Sequence, residues 1–307
     1  MRQQNSKILI LGGSSYLGKH LLARLGKDRC VATYCKTPFE GGVYFDALSM
    51  SLDDIVDDAS HFSHAVILLG DTKPASCLAD PKKSHELNVE AIKRIIDQLK
   101  QWNIKSLFTS SEHIYDGQKG DYNEADEPHP ILLYGRQKLE VEEYMKRESG
   151  NFIILRIAKM LGEDPQDGTL FSRWLSDIEA QDSIRCAEDQ IFSPLYIGDA
   201  VEAIVRLIDK DISGTFNVSS GQYFRRIELL RMLLKEAKMY LSKEIRVVPC
   251  SIYDFDFSEK LPLDVSLNPH KLVAATGIDL TDIRMVCSQL VKGKYAGWTN
   301  YLHLNKI

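Results

Sequence analysis

Tyr134 and Lys138 stand four residues apart in the stretch HPILLYGRQKLEVEEYMK, residues 129–146. Four residues is just over one helical turn, so in a helix the phenol and the ammonium share a face. Such a pair can serve as an acid and its tuner: the phenol protonates a carbonyl oxygen while the cation favours the phenolate. The same spacing also fits an ordinary aromatic–cation contact on a helix surface. Tyr-x-x-x-Lys arises by chance in many chains of this length, so the surrounding elements must decide.

Those elements alternate. KILILGG (7–13), CVATYCK, GVYFDA, HAVILLGD, IKSLFTSS and NFIILRIAKMLG read as six strands. SSYLGKHLLARLG, with Leu17, Leu21, Leu22 and Leu25 at helical spacing, and HELNVEAIKRIIDQLKQW read as helices between them. The Tyr134 helix falls between the fifth and sixth strands. This rhythm predicts right-handed crossovers and an α/β fold, a doubly wound parallel sheet of the Rossmann type. After about residue 165 shorter strands (SIRCA, GTFNVS, IRVVP) mix with helices, and the loop EKLPLDVSLNPHKL leads into a C-terminal helical stretch. The expected division is residues 1–165 as a dinucleotide-binding domain and 166–307 as mainly a smaller α/β substrate lobe. The two interleave, some later segments returning to the first.

Composition narrows the class. The chain has 307 residues, 44% hydrophobic and 26% charged, with a net charge of −5. That is ordinary globular composition with no basic footprint for nucleic acid. The longest apolar runs are too short to cross a bilayer, and MRQQNSKILILGG passes from a polar lead straight into a strand, with no secretory pattern. Cys30, Cys35, Cys77, Cys186, Cys250 and Cys287 are scattered without a Cys-x-x-Cys pair, which points to buried or incidental thiols and to no metal site. The expected compartment is the cytoplasm.

GGSSYLG lies between the first strand and its helix, with Gly12, Gly13 and Gly18 around Ser15. Glycines here let a backbone turn tightly and approach a pyrophosphate seated on the helix N-terminus. Ser15 adds a hydroxyl that can donate to the phosphates. The second strand ends TYCKTP, with Lys36 where an NAD site usually carries a carboxylate. A lysine attracts a 2′-phosphate, so the lean is to NADP, with NAD possible; a solvated loop charge is the alternative. Asp46, after the third strand, is a candidate for the adenine edge or a strand-ending cap.

Taken in order, GGSSYLG, SSEHIYDG, HPILLYGRQK, LRIAKMLG, DQIFSPLYIGDAVEAI and GTFNVSSG resemble an extended short-chain dehydrogenase/reductase. Within that group the chain is similar to the dTDP-4-dehydrorhamnose reductases, from its N-terminus to about residue 275. The resemblance implies Ser111, Tyr134 and Lys138 as the catalytic set. It implies Gly12, Ser14, Ser15, Tyr16, Leu17, Gly18, Lys36, Asp46, Leu69, Gly70 and Asn88 around the cofactor, with Tyr134 and Lys138 reaching its nicotinamide ribose. Glu112, His113, Arg156 and Ser193 are candidate substrate contacts, Arg156 facing either a substrate phosphate or an internal carboxylate. The implied activity is NADPH-dependent reduction of the 4-keto group of a nucleotide-linked deoxysugar, with a homodimer allowed. The superfamily also includes epimerases and dehydratases, whose adjacent acid pair would correspond to Glu112 and His113, and a cofactor-binding regulatory subunit of methionine adenosyltransferase. Leu69–Gly70 replaces the relatives' two alanines, Ser111 their threonine, His113 their tyrosine and Asn268 their aspartate.

Overall fold

The computed structural model describes residues 6–297. In chain order the elements are β1 (Lys7–Leu11), α1 (Tyr16–Leu25), β2 (Cys30–Tyr34), β3 (Val43–Tyr44), β4 (Phe62–Ile67), α2 (Pro74–Ala79), α3 (Pro81–His85), a π-helical turn (Glu86–Glu90), α4 (Ala91–Gln101), β5 (Lys105–Ser111), α5 (Leu133–Glu148) and β6 (Phe152–Ile157). They continue as β7 (Met160–Leu161), α6 (Leu170–Ala180), β8 (Ser183–Ala187), β9 (Ile191–Phe192), β10 (Leu195–Tyr196), α7 (Ile197–Asp209), β11 (Gly214–Val218), β12 (Phe224–Arg225), α8 (Arg226–Ala237), β13 (Arg246–Cys250), α9 (His270–Thr276) and α10 (Ile283–Ala296). Two compact units result. The first takes the described residues through Tyr115, then Glu127–Arg156 and Ala203–Phe216; the second takes Asp116–Asp126, Ile157–Glu202 and the described residues from Asn217 onward.

The first unit is built on a seven-stranded sheet in the order β11-β6-β5-β4-β1-β2-β3. β1 pairs in parallel with both β2 (Leu9 opposite Val31) and β4 (Leu9 opposite Ala65). Ile8, Leu9, Ile10 and Leu11 are buried on both faces, which is why this strand reads as an unbroken apolar run. The chain runs outward from β1 to β3 and then returns to β4, so the strand order reverses between β1 and β4. A crevice opens at the carboxyl ends of strands at such a reversal. One face of the sheet is covered by Ile92, Ile95, Ile96 and Leu99 of α4 with Val141 and Met145 of α5. Each fully buried aliphatic of this kind contributes about 1.5–3 kcal/mol.

GTFNVS, one of the later segments, supplies β11 at the edge of the main sheet, where Phe216 and Val218 are buried. Two features depart from the sequence pattern. HELNVEAIKRIIDQLKQW is not a plain α-helix: the Ala91 amide donates to the Glu86 carbonyl five residues back, which makes the π turn. The short helices α2 and α3 precede it, with Pro74 and Pro81 in their first turns and the Asp80 carboxylate capping the Lys83 amide at 3.0 Å.

The second unit carries three two-stranded pieces: β7 with β10, β8 with β13, and β9 with β12. The first two are parallel and the last antiparallel. α8 buries Ile227, Leu229, Leu230 and Leu233, and α10 buries Val286, Cys287 and Leu290. All six cysteines are free. Among the described residues no helix is long and apolar enough to cross a membrane.

Candidate active site

Ser111 ends β5, and its hydroxyl caps the following turn by accepting from the His113 amide at 3.2 Å. α5 starts beside that turn. A Cβ at Gly135 would fall on the His113 carbonyl oxygen, so only glycine lets the helix come this close. That approach brings the Tyr134 phenol beside the Ser111 hydroxyl. The Tyr134 ring is 6% exposed and meets the His113 ring edge to face, 6.2 Å between centroids. Burial pushes the phenol well above its ordinary range; the Ser111 hydroxyl opposes this, while the carboxylates of Glu112 and Asp71 add to it.

Lys138 lies one turn further along α5, 2% exposed. Its ammonium donates to the Thr109 carbonyl at 2.8 Å and sits 4.5 Å above the Phe108 ring and 5.7 Å from the Tyr134 ring. Burial pushes its pKa down to about 8, against the pull of nearby anions including Glu142. The spacing expected from sequence therefore holds, and Ser111, Tyr134 and Lys138 come together at the carboxyl end of β5.

The glycine loop is equally specific. Gly12 has φ +97°, and the Gly12 and Gly13 amides are tied to the Thr33 hydroxyl (3.0 Å) and carbonyl (2.7 Å) at the end of β2. A Cβ at Gly18 would strike the Gly12 carbonyl oxygen, so the third glycine lets α1 pack onto the loop. Ser15 caps α1 by accepting from the Gly18 amide at 3.1 Å, which leaves its hydroxyl hydrogen to point elsewhere. Ser14, Tyr16 and Leu17 complete this turn, and α1 has no acidic residue in its first turn to oppose an anion. A helix start with this loop fits the pyrophosphate of a dinucleotide.

At the end of β4, Gly70 has φ +134°, and a Cβ there would sit 2.8 Å from Asn88 Oδ1. Leu69 packs against the core. Asn88, fully buried in the π turn, accepts from the Asp71 amide (2.7 Å) and donates to the Asp71 carbonyl (3.0 Å) and to Gln137 Oε1 (2.8 Å). Gln137 in turn donates to Ser84 Oγ at 2.9 Å. This network fastens the loop after β4 to the helix carrying Tyr134. Lys36, exposed at the end of β2, lines a cavity of about 600 Å³ with Gly70 and Asp71. Asp46 serves as a cap: its Oδ1 accepts from the Leu48 amide at 3.0 Å.

Two of the candidate substrate contacts make their bonds within the protein. Arg156 is buried, with its guanidinium on Glu142 (2.8–3.2 Å) and on the Tyr115 hydroxyl (2.7 Å), so it answers an internal carboxylate. Burial works to neutralise Glu142, and the Arg156 bonds override it and hold the carboxyl below its usual range. Ser193 lies in the second unit, fully buried, accepting from the Leu267 amide at 2.8 Å and donating to the Leu267 carbonyl at 3.4 Å. Both groups are committed within the protein. Glu112 is buried beside Ser111, and His113 is half-exposed. Gly135, Gln137, Ser84 and Glu142 escaped sequence reasoning. Only Gly135 gave a sign, being a glycine inside a helical pattern.

Residues 6–295 match the family model of the RmlD substrate binding domain. The chain belongs to this family. The RmlD family is a branch of the extended short-chain dehydrogenase/reductases, in agreement with the fold. The chain spans about half the length of the first curated relatives it matches. One, a Haloferax volcanii protein named probable low-salt glycan biosynthesis reductase Agl14, is 30% identical over 148 residues, 47% of this chain and 49% of that one. Methionine adenosyltransferase 2 subunit beta of Bos taurus is 23% identical over 238 residues, 73% of this chain and 70% of that one. A dTDP-4-dehydrorhamnose reductase of Bacillus anthracis, solved in complex with NADP, superposes with a TM-score of 0.81 at 19% identity, covering 94% of this chain and 99% of that one. At that identity the likeness speaks for the fold.

Proposed function

We propose that this RmlD family member reduces the 4-keto group of a nucleotide-linked deoxysugar with NADPH. The observation that carries this reading is the buried Tyr134 phenol beside Ser111, with the Lys138 ammonium 5.7 Å from its ring and one turn along the helix. NADPH, the reduced form of the NADP named for the Bacillus anthracis structure, would supply the hydride when bound. The loop of Gly12, Ser14, Ser15, Tyr16, Leu17 and Gly18 would hold its pyrophosphate, and Lys36 would attract the 2′-phosphate. Asp46, Leu69 and Gly70 would border the adenosine, and Asn88 would hold the loop after β4 in place for it.

In this reading Ser111 orients the carbonyl oxygen and Tyr134 gives it a proton. Burial keeps the phenol protonated at neutral pH, and the oxygen of a ketone under reduction grows more basic than a phenolate, so the proton moves toward substrate. Lys138, with a pKa of about 8, remains mostly charged at pH 7 and offsets the phenolate left behind. Glu112 and His113 follow Ser111 directly and are the candidate substrate contacts that remain.

The test is keto-sugar-dependent NADPH oxidation by the unmodified protein and by Tyr134→Phe. Loss of the acid should lower turnover by about a hundredfold to ten-thousandfold while NADPH binding persists. Near-full activity in Tyr134→Phe would refute the assignment. It would favour the second reading, a cofactor-binding partner subunit, which the long alignment to methionine adenosyltransferase 2 subunit beta supports. A stoichiometric enzyme partner recovered with the chain would then be expected.

A further inference from the structure

The cavity beside Lys36 holds more positive charge than the reading above uses. Lys73 and Lys83 line it as well, with Asp71 and Asp80 as its acidic members. The two carboxylates are partly occupied by backbone: Asp71 Oδ1 accepts from the Lys73 amide and Asp80 Oδ1 from the Lys83 amide, both at 3.0 Å. No ion pair or side-chain hydrogen bond engages the ammonium of Lys36, Lys73 or Lys83 among the described residues. The Thr72 and Ser76 hydroxyls line the same space. In a chain of net charge −5, this is a local surplus of unpaired cations around one concavity.

Its wall is firmly built. Asn88 clamps the Asp71 backbone on both its amide and its carbonyl, and Ser84 donates to the Cys77 and Pro81 carbonyls at 3.0 and 3.1 Å while accepting from Gln137. Lys73 and Lys83 therefore stand on a fixed frame, although their ammonium groups are exposed. A dinucleotide phosphorylated on its adenosine ribose has two anionic parts. The pyrophosphate belongs at the start of α1, and the remaining dianion lies near the end of β2, where Lys36 stands. We infer that Lys73 and Lys83, together with Lys36, form the receptor for the cofactor's 2′-phosphate, so that selectivity for the phosphorylated dinucleotide comes from the segment after β4 as much as from β2.

This inference rests on the dinucleotide reading above, and its test separates the two. Calorimetric titrations would use NADPH, NADH, adenosine 2′,5′-bisphosphate and 5′-AMP against the unmodified chain, Lys73→Ala/Lys83→Ala and Lys73→Arg/Lys83→Arg. The alanine pair should weaken adenosine 2′,5′-bisphosphate and NADPH by about tenfold, leave 5′-AMP and NADH within about twofold, and be rescued by the arginine pair. Inorganic phosphate at equal concentration should compete with the bisphosphate and not with 5′-AMP. If the alanine pair keeps the full preference for the 2′-phosphorylated ligands, the inference fails while the cofactor reading stands. If it weakens all four ligands alike, the lysines only support the loop, and the inference fails again. Binding of neither dinucleotide by the unmodified chain would overturn the cofactor reading and the inference with it.

Discussion

Replacing Lys138 by methionine should make the protein more stable as it removes a member of the proposed catalytic set. The cause is the burial that lowers the Lys138 pKa from 10.5 to about 8. At about 1.4 kcal/mol per unit, that depression corresponds to about 3 kcal/mol of strain at neutral pH. Below about pH 8 both folded and unfolded chains carry the proton, and the folded state bears the whole cost. Between about pH 8 and 10.5 the folded protein has released a proton that the unfolded chain still holds, so folding becomes more favourable as pH rises. Above 10.5 neither form is charged, and the cost is gone. Methionine preserves the length and apolar stem but gives up the 2.8 Å bond to the Thr109 carbonyl, a loss of about 1 kcal/mol. The net expectation is a gain of about 2 kcal/mol at pH 7, shrinking across the window above pH 8 and turning into a small loss near pH 10.5. Urea unfolding of both proteins at a series of pH values measures this difference, and contributions of other titrating groups cancel between them. A variant that is less stable at pH 7 by an amount constant up to pH 10.5 would refute the argument, since Lys138 would then contribute only packing.

Arg156→Met leaves the Glu142 carboxylate buried without its guanidinium and should cost about 3–5 kcal/mol, whereas Glu142→Leu/Arg156→Met removes both charges and should recover most of that; equal losses in the single and double variants by denaturant unfolding would contradict a buried pair. Gly135→Ala should cost about 3 kcal/mol and lower keto-sugar turnover, because the new methyl drives the start of α5 off the His113 carbonyl and parts Tyr134 from Ser111; an unchanged melting temperature with unchanged turnover would exclude this.

What could be read from the sequence was local. KILIL and NFIILRI identify themselves as central strands because a strand buried on both faces needs apolar side chains on both, and the order of strands and helices implies the parallel sheet. Tyr134 and Lys138 were legible because their relation is a helical spacing. Arg156 was legible only as a charge. Whether it faced a phosphate or a carboxylate depended on Glu142, fourteen positions away on another element, and on Tyr115. The bonding of Ser193 was hidden for the same reason, since nothing near it in sequence announces Leu267. The depressed pKa of Lys138 lies beyond sequence entirely, because it arises from the helix pressing the side chain onto β5. The π turn left no trace either: HELNVEAIKRII has good helical periodicity, and the extra residue shows only in which carbonyl Ala91 chooses.

That turn acts as a phase shifter between two helical registers. Each residue of an α-helix advances the side chain by about 100°. Before and within the turn the register is set by the site: Ser84 must meet Gln137, and Asn88 must meet Asp71. After it the register is set by the core: Ile92, Ile95, Ile96 and Leu99 must all face the sheet. A single regular helix would hold one of these phases and rotate the other away by about 100°, slightly more than a quarter turn. Deleting one residue between Glu86 and Glu90 would thus improve the local helix while uncoupling cofactor loop from core. For anyone redesigning this scaffold, the irregular turn is the segment to leave untouched, and the regular stretches on either side can be changed independently of each other.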